Sequence, residues 1–173
     1  MKKKIRSLSI GLLIYALICA LLGYMLHLGA DYTPNMLLSF REVFFNNLSV
    51  NYKAIFFSFV TFGIYGLYFI GSEMFFLGFI IRSVANQENI LNALSYISFH
   101  SIIEIPTIIL SGAMGIIFWM LVINAIKRKQ IIKKHFYFLA ILIISVFFLV
   151  LIAAGIETTI TKTFVQHFVM EVN

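Results

Sequence analysis

Apolar side chains run from residue 8 to residue 28 with little interruption. One helix needs about 20 such residues to cross the hydrocarbon core of a bilayer. A cleaved leader would carry an apolar core of only about 7–15 residues, followed by a small-residue cleavage site, so the run predicts a retained first span. Ala16, Cys19, Ala20 and Gly23 place small side chains on one side of that helix, where another helix can approach closely. Residues 29–53 are mixed, with Asp31, Arg41, Glu42 and Lys53 among them. Thr33-Pro34 has the chemistry of a helix start, with Thr as N-cap and Pro at the first helical position. Leu37, Phe40, Phe44 and Leu48 then recur at helical spacing, opposite Ser39, Glu42 and Asn46. The pattern predicts an amphipathic helix over residues 34–48. Two placements fit it: the outer membrane interface, or a loop helix packed on the rest of the protein.

Farther on, residues 54–81 form a long apolar stretch interrupted by Gly63, Gly66, Gly71 and Gly78, with Glu73 inside it. Residues 82–92 are polar. A second long stretch, 95–126, contains Pro106, Gly112 and Gly115, and 136–156 is a clean final span before the tail that starts at Glu157.

Composition agrees with lipid as the solvent. Hydrophobic residues make up 61% of the 173 positions and charged residues 12%, where a soluble domain is about half apolar and a quarter charged. The predicted fold class is all-α: one integral membrane domain over residues 1–173, a polytopic bundle of about five spans. The net charge of +6 resides largely in two clusters that abut apolar runs. One is Lys2, Lys3, Lys4 and Arg6; the other is Lys127, Arg128, Lys129, Lys133 and Lys134. Such clusters mark cytoplasmic segments and attract anionic inner-leaflet lipids. With no recognition motif beside them they exclude nucleic acid as the expected partner. The lone Cys19 excludes an internal disulfide and a Cys-rich zinc site.

The two basic clusters require an even number of crossings between them, whereas the apolar runs supply three. One long stretch must therefore be broken, which membranes tolerate only where protein or a water-filled cavity satisfies the freed backbone groups. A break near residues 71–73 is expected, giving a span over 54–70 and a short helix over 74–84. The rival position is Pro106. Either break places the amino terminus inside a bacterial cytoplasmic membrane and the carboxyl terminus outside.

Three carboxylates fall within or beside apolar segments: Glu73, Glu104 and Glu157. A charge at membrane depth costs about 2.5–3.5 kcal/mol on insertion scales. His100 lies one turn before Glu104 on the same helix face. Pro106 frees the carbonyl of residue 102 from its helical hydrogen bond, and Thr107, Ser111 and Gly115 continue a small or hydroxylated ridge, with Gly112 beside it, suited to helix contact. These residues suggest an intramembrane polar centre. It is either linked to a proton or ligand, or a buried glutamate that ties helices together by hydrogen bonds. Glu157 is equally readable as a solvated helix end, and Glu73 as the marker of a turn. His27, His100, His135 and His167 are scattered, with no zincin-like pair, and no nucleophile motif or phosphate loop is present. No catalytic residue, metal or cofactor is expected.

The run Phe99-His100-Ser101-Ile102-Ile103-Glu104-Ile105-Pro106, with Gly112 and Gly115 after it, resembles the His-Gly-x-x-Glu-Leu-Pro segment of the stage II sporulation protein M family. Asn46-Asn47 ahead of a Gly-rich span with Leu77-Gly78, and Ala153-Ala154-Gly155-Ile156-Glu157, are similar to the pieces that flank it. Ser101 stands where the family carries Gly, and the family's Asn-Gly pair is missing around residues 71–73, so the resemblance is to a divergent member. It implies a non-enzymatic membrane protein of about five spans, a scaffold or subunit of a membrane complex. It implies cell-wall-remodelling proteins or other membrane proteins as partners; membrane lipids are expected from the basic clusters, and copies of the chain itself are a further candidate partner. The alternative implied is a permease-like subunit that works with a separate ATPase in ABC-type export, or in bacteriocin production or immunity.

Overall fold

In a computed structural model, residues 2–26, 39–87, 90–128 and 133–161 are described, with the side chains of 2, 3, 91–100, 128, 134, 160 and 161 outside that set. They form five helices: α1 (Lys2–Met25), α2 (Phe40–Val60), α3 (Ile64–Gln87), α4 (Ile90–Arg128) and α5 (Lys133–Ile156). A π-helical turn, Glu157–Thr161, extends α5. The fold is an all-α bundle. Four segments, Lys4–Met25, Ile64–Gln87, Ser101–Lys127 and His135–Thr159, are long and apolar enough to cross a membrane. α2 is not among them, because it carries Asn46, Asn47, Asn51 and Lys53.

Cross-helix contacts give each helix its direction. Tyr15 of α1 reaches the Leu67 carbonyl and Arg82 of α3 bonds Tyr24, so α1 and α3 run parallel. Asn51 meets Ser111, and the Phe59 carbonyl meets Trp119, so α2 and α4 run parallel. Gly63 lies against Ile116 and Gly66 against Gly112, which makes α3 antiparallel to α4. Phe44 packs on Phe147 and Tyr52 on the Ile143 carbonyl, which makes α5 antiparallel to α2. The helices thus alternate up and down, and four of them separate the two basic clusters. The even count is met by α2 traversing the bundle, not by a broken α3.

That arrangement corrects the expected interruption. Residues 71–73 lie inside α3, and 74–84 is the continuation of the same helix. The break falls at residues 61–63, where Phe62 (φ 56°) and Gly63 (φ 90°) both take left-handed backbone. The Gly63 N–H bonds the Ser58 carbonyl at 2.8 Å, the closure typical of a helix end whose C′ residue is left-handed. The Phe62 ring lies 4.2 Å from that of Trp119. Gly71 and Gly78 read as breakers in the sequence but serve close packing: a Cβ on Gly78 would strike the Ala20 carbonyl of α1. α4 also continues through Pro106. The ring points to the exposed side, and Thr107 Oγ1 donates to the Ile103 carbonyl at 2.7 Å. The separate amphipathic helix over 34–48 is corrected too. The helix begins at Phe40, with Ser39 as N-cap in a reciprocal capping box with Glu42, and continues to Val60. Thr33-Pro34 lies outside the described residues.

Ile70, Met114, Val146 and Val150 are the largest fully buried apolar side chains. α1 instead keeps Leu13, Leu17 and Leu21 on the outside, the surface expected of a helix that faces lipid.

Candidate functional site

The inner side of α2 carries the polar groups that the bundle encloses. Asn47, Asn51 and Ser58 recur at steps of four and seven, so they share one helical stripe. Asn51 is buried; its amide accepts from Ser111 Oγ at 2.7 Å, and its Nδ2 donates to the Asn47 carbonyl at 2.8 Å. Ser58 is fully buried and donates to the Gly112 carbonyl at 3.0 Å. Asn47 Nδ2 donates to Glu104 Oε1 at 3.4 Å. One polar seam therefore runs along the α2–α4 contact. Such cross-helix bonds satisfy groups that lipid cannot, and contribute about 0.6–2 kcal/mol each to helix association.

Three helices converge below this seam with their backbones in contact. A Cβ on Gly66 would strike the Gly112 carbonyl, one on Gly112 would lie 2.6 Å from the Gly66 carbonyl, and one on Gly115 would strike Ser58. Gly23 and Gly78 make the same kind of approach between α1 and α3. Small residues bring helices together where lipid removes the hydrophobic drive for association. Ser111, Gly112 and Gly115 all lie at this junction, and all three are buried.

Glu104 sits on α4 one turn from Thr107 and is half-buried. Glu73 on α3 and Glu157 at the end of α5 are half-buried too, and both lie within electrostatic range of Glu104. The fold thus draws the three carboxylates toward the Asn47 end of the seam. Glu73 is a helical residue there, not the marker of a turn. Pro106 lies on the outer side of α4. The side chain of His100 is outside the described set, as are His27 and His167. Ser101, one turn before Glu104, buries a hydroxyl that finds no partner among the described residues. Among those residues, no three His, Cys, Asp or Glu side chains are placed to hold a metal ion.

Asn51 and Ser58 are not reached from the sequence as inward polar residues, because the predicted amphipathic helix ends at residue 48, leaving Asn51 in the mixed segment and Ser58 in the apolar stretch. Their shared spacing with Ala54 and Ile55 was the available signal.

The chain is a polytopic α-helical membrane protein, held by glycine contacts and a buried polar seam. The family model for stage II sporulation protein M matches residues 8–162. That covers most of the chain, which belongs to this family. Comparison with curated proteins and with solved structures found no match.

Proposed function

We propose that the chain is a non-enzymatic scaffold, a fixed subunit around which a complex is assembled in the bacterial cytoplasmic membrane. Its amino terminus lies inside and its carboxyl terminus outside. The observation that carries this reading is the set of backbone contacts at Gly23–Phe75, Gly66–Gly112 and Ser58–Gly115. They tie α1 to α3, α3 to α4 and α2 to α4. Sliding at any of them would force carbonyl oxygens into backbone. Packed interfaces of this kind resist continuous deformation. The alternating helix directions, with both basic clusters at one end, support the stated orientation.

A second reading, a permease-like subunit working with a separate ATPase, draws support from Glu73, Glu104 and Glu157 converging on one seam, since intramembrane carboxylates often serve ion or substrate pathways. One experiment separates the two. An added Cβ at Gly71 would meet the Tyr15 hydroxyl, the far end of a flexible side chain that must swing aside, and would lie 3.6 Å from Cys19 Sγ, close enough for Gly71→Cys to be oxidised to a disulfide that locks α1 to α3. A scaffold recovers the same partners, in the same amounts, whether locked or reduced. A subunit that must rock during a transport cycle loses the ATPase stimulation of its complex when locked and regains it on reduction, and that result would reject the scaffold.

A further inference from the structure

Lipid does not account for the outward side of α2. Val43, Asn51, Ala54, Ile55 and Ser58 mark its buried side. Opposite them Glu42, Asn46, Ser49 and Lys53 are exposed, at steps of four, three and four that align them as one stripe. At 1.5 Å per residue the stripe is about 16 Å long. Its depth follows from the inner side of the same helix. Asn51 joins Ser111 and Ser58 joins Gly112, so Lys53, between them, stands well inside the apolar span Ser101–Lys127. The Lys53 stem leaves the helix leaning toward the Glu42 end, away from the turn at residues 61–63. Lys53 makes no ion pair among the described residues. Intramembrane ionisable residues otherwise face a bundle interior or a water-filled cavity, and here the cation faces outward.

We propose that the stripe from Glu42 to Lys53 is the docking face for a transmembrane helix of a different protein. That helix carries a carboxylate at the depth of Lys53 and hydrogen-bonding side chains one to two turns toward the Glu42 end. The proposal rests on the scaffold reading and adds which face is used and what chemistry it selects. Charge complementarity identifies the occupant. A two-fold pair of this chain would set Lys53 against Lys53 at one depth, because such interfaces bring the same patch together. The chain's own membrane-level carboxylates, Glu73, Glu104 and Glu157, gather at the interior seam, and among the described residues no carboxylate at the depth of Lys53 lies on an outer face to answer it in a head-to-tail pair. A partner helix with an Asp or Glu there converts an unpaired charge in lipid into a paired one. The exposed rings of Phe45 and Phe56 flank the stripe and supply apolar contact beside the polar line.

The test places a photoreactive residue at Ser49, with a control at the lipid-facing Leu17 of α1. The full chain is expressed with its native gene set, and adducts are mapped by mass spectrometry. The expected Ser49 adduct maps to a transmembrane segment of another protein bearing Asp or Glu within one turn of the attachment point. Lys53→Glu and Lys53→Leu each lower its yield at least tenfold, and Lys53→Leu leaves the elution profile of the folded chain unchanged. Replacing the partner's carboxylate by Lys restores the adduct with Lys53→Glu. Lipid adducts alone, an adduct to a second copy, an adduct to residues 27–38 or 162–173 of the same chain, or a partner adduct insensitive to Lys53→Glu each overturn the proposal. When other proteins copurify undiminished in those cases, the scaffold reading stands and the docking face falls. When nothing copurifies with the wild-type chain, both fall.

Discussion

Replacing Gly112 by Ala adds one methyl group where α3 and α4 meet backbone to backbone. The new Cβ would lie 2.6 Å from the Gly66 carbonyl oxygen and 2.6 Å from Ile70 Cγ1, where ordinary contact begins near 3.4 Å. The difference, 3.4 − 2.6, requires α3 and α4 to part by about 0.8 Å at this point, because one obstacle is backbone and cannot rotate away. Overpacking of a well-fitted core costs about 1–3 kcal/mol, and in a chain of this size each kcal/mol moves Tm by roughly 2–4 °C. The expected loss is therefore about 2–12 °C, set against a helix-propensity gain below about 1 kcal/mol from Gly to Ala. Thermal unfolding in mild detergent, followed by the loss of the monodisperse elution peak, measures it at a fixed heating rate. Gly11→Ala is the matched control, since nothing lies within 4 Å of its added Cβ. Equal or higher Tm for Gly112→Ala than for Gly11→Ala would refute the backbone-contact reasoning, and with it the rigidity inferred from it.

Asn51→Ala strands the buried Ser111 hydroxyl and should cost about 1–3 kcal/mol, whereas adding Ser111→Ala removes the orphaned group. A double-mutant cycle in which the double variant is less stable than Asn51→Ala alone would contradict the pairing. Glu104→Gln keeps an acceptor for Asn47 and should leave folded yield and partner recovery intact; Glu104→Leu removes the acceptor and should lower yield. Loss of function in the Gln variant at normal yield would show that charge at this position matters beyond tying helices. Single cysteines at Ser39, Gln130 and Thr163, in a Cys19→Ala background, should react with an impermeant thiol reagent on intact cells at the first and third positions only. Labelling at Gln130 without Ser39 would invert the proposed orientation.

Most of the fold was legible because lipid imposes a simple code: α1, α5 and the apolar part of α4 stand out as long hydrophobic runs. α2 was not legible, because it breaks that code in both directions. Its inward side is polar at Asn47, Asn51 and Ser58, and its outward side is charged at Lys53, so neither hydropathy nor amphipathicity marks it as a full-length helix of the bundle. The turn at 61–63 was obscured by the other glycines. Gly66, Gly71 and Gly78 punctuate the sequence in the same way as Gly63, yet they lie within α3, where small size admits a neighbouring helix, and only Gly63 has backbone that favours Gly. Glu104 announced itself through the cost of a carboxylate in an apolar run. Its convergence with Glu73 and Glu157 depends on three helices meeting, and residue spacing along one helix carries no record of that.

The polarity of α2 also dictates how the protein must be made. Alone in a bilayer this helix would lack the α4 partners of Asn51 Oδ1 and Ser58 Oγ and would still carry the unpaired Lys53, so it has little tendency to partition from a translocation channel unaided. The three-residue turn at 61–63 couples it to α3, whose apolar run does partition, and the two are suited to enter as a hairpin. Even then Ser58 must wait for Gly112, 54 residues later in the chain. At roughly 5–20 residues synthesised per second, that interval is about 3–11 s. During it the inward side of α2 is without its α4 partners, so the half-built chain is most open to misassembly in that interval.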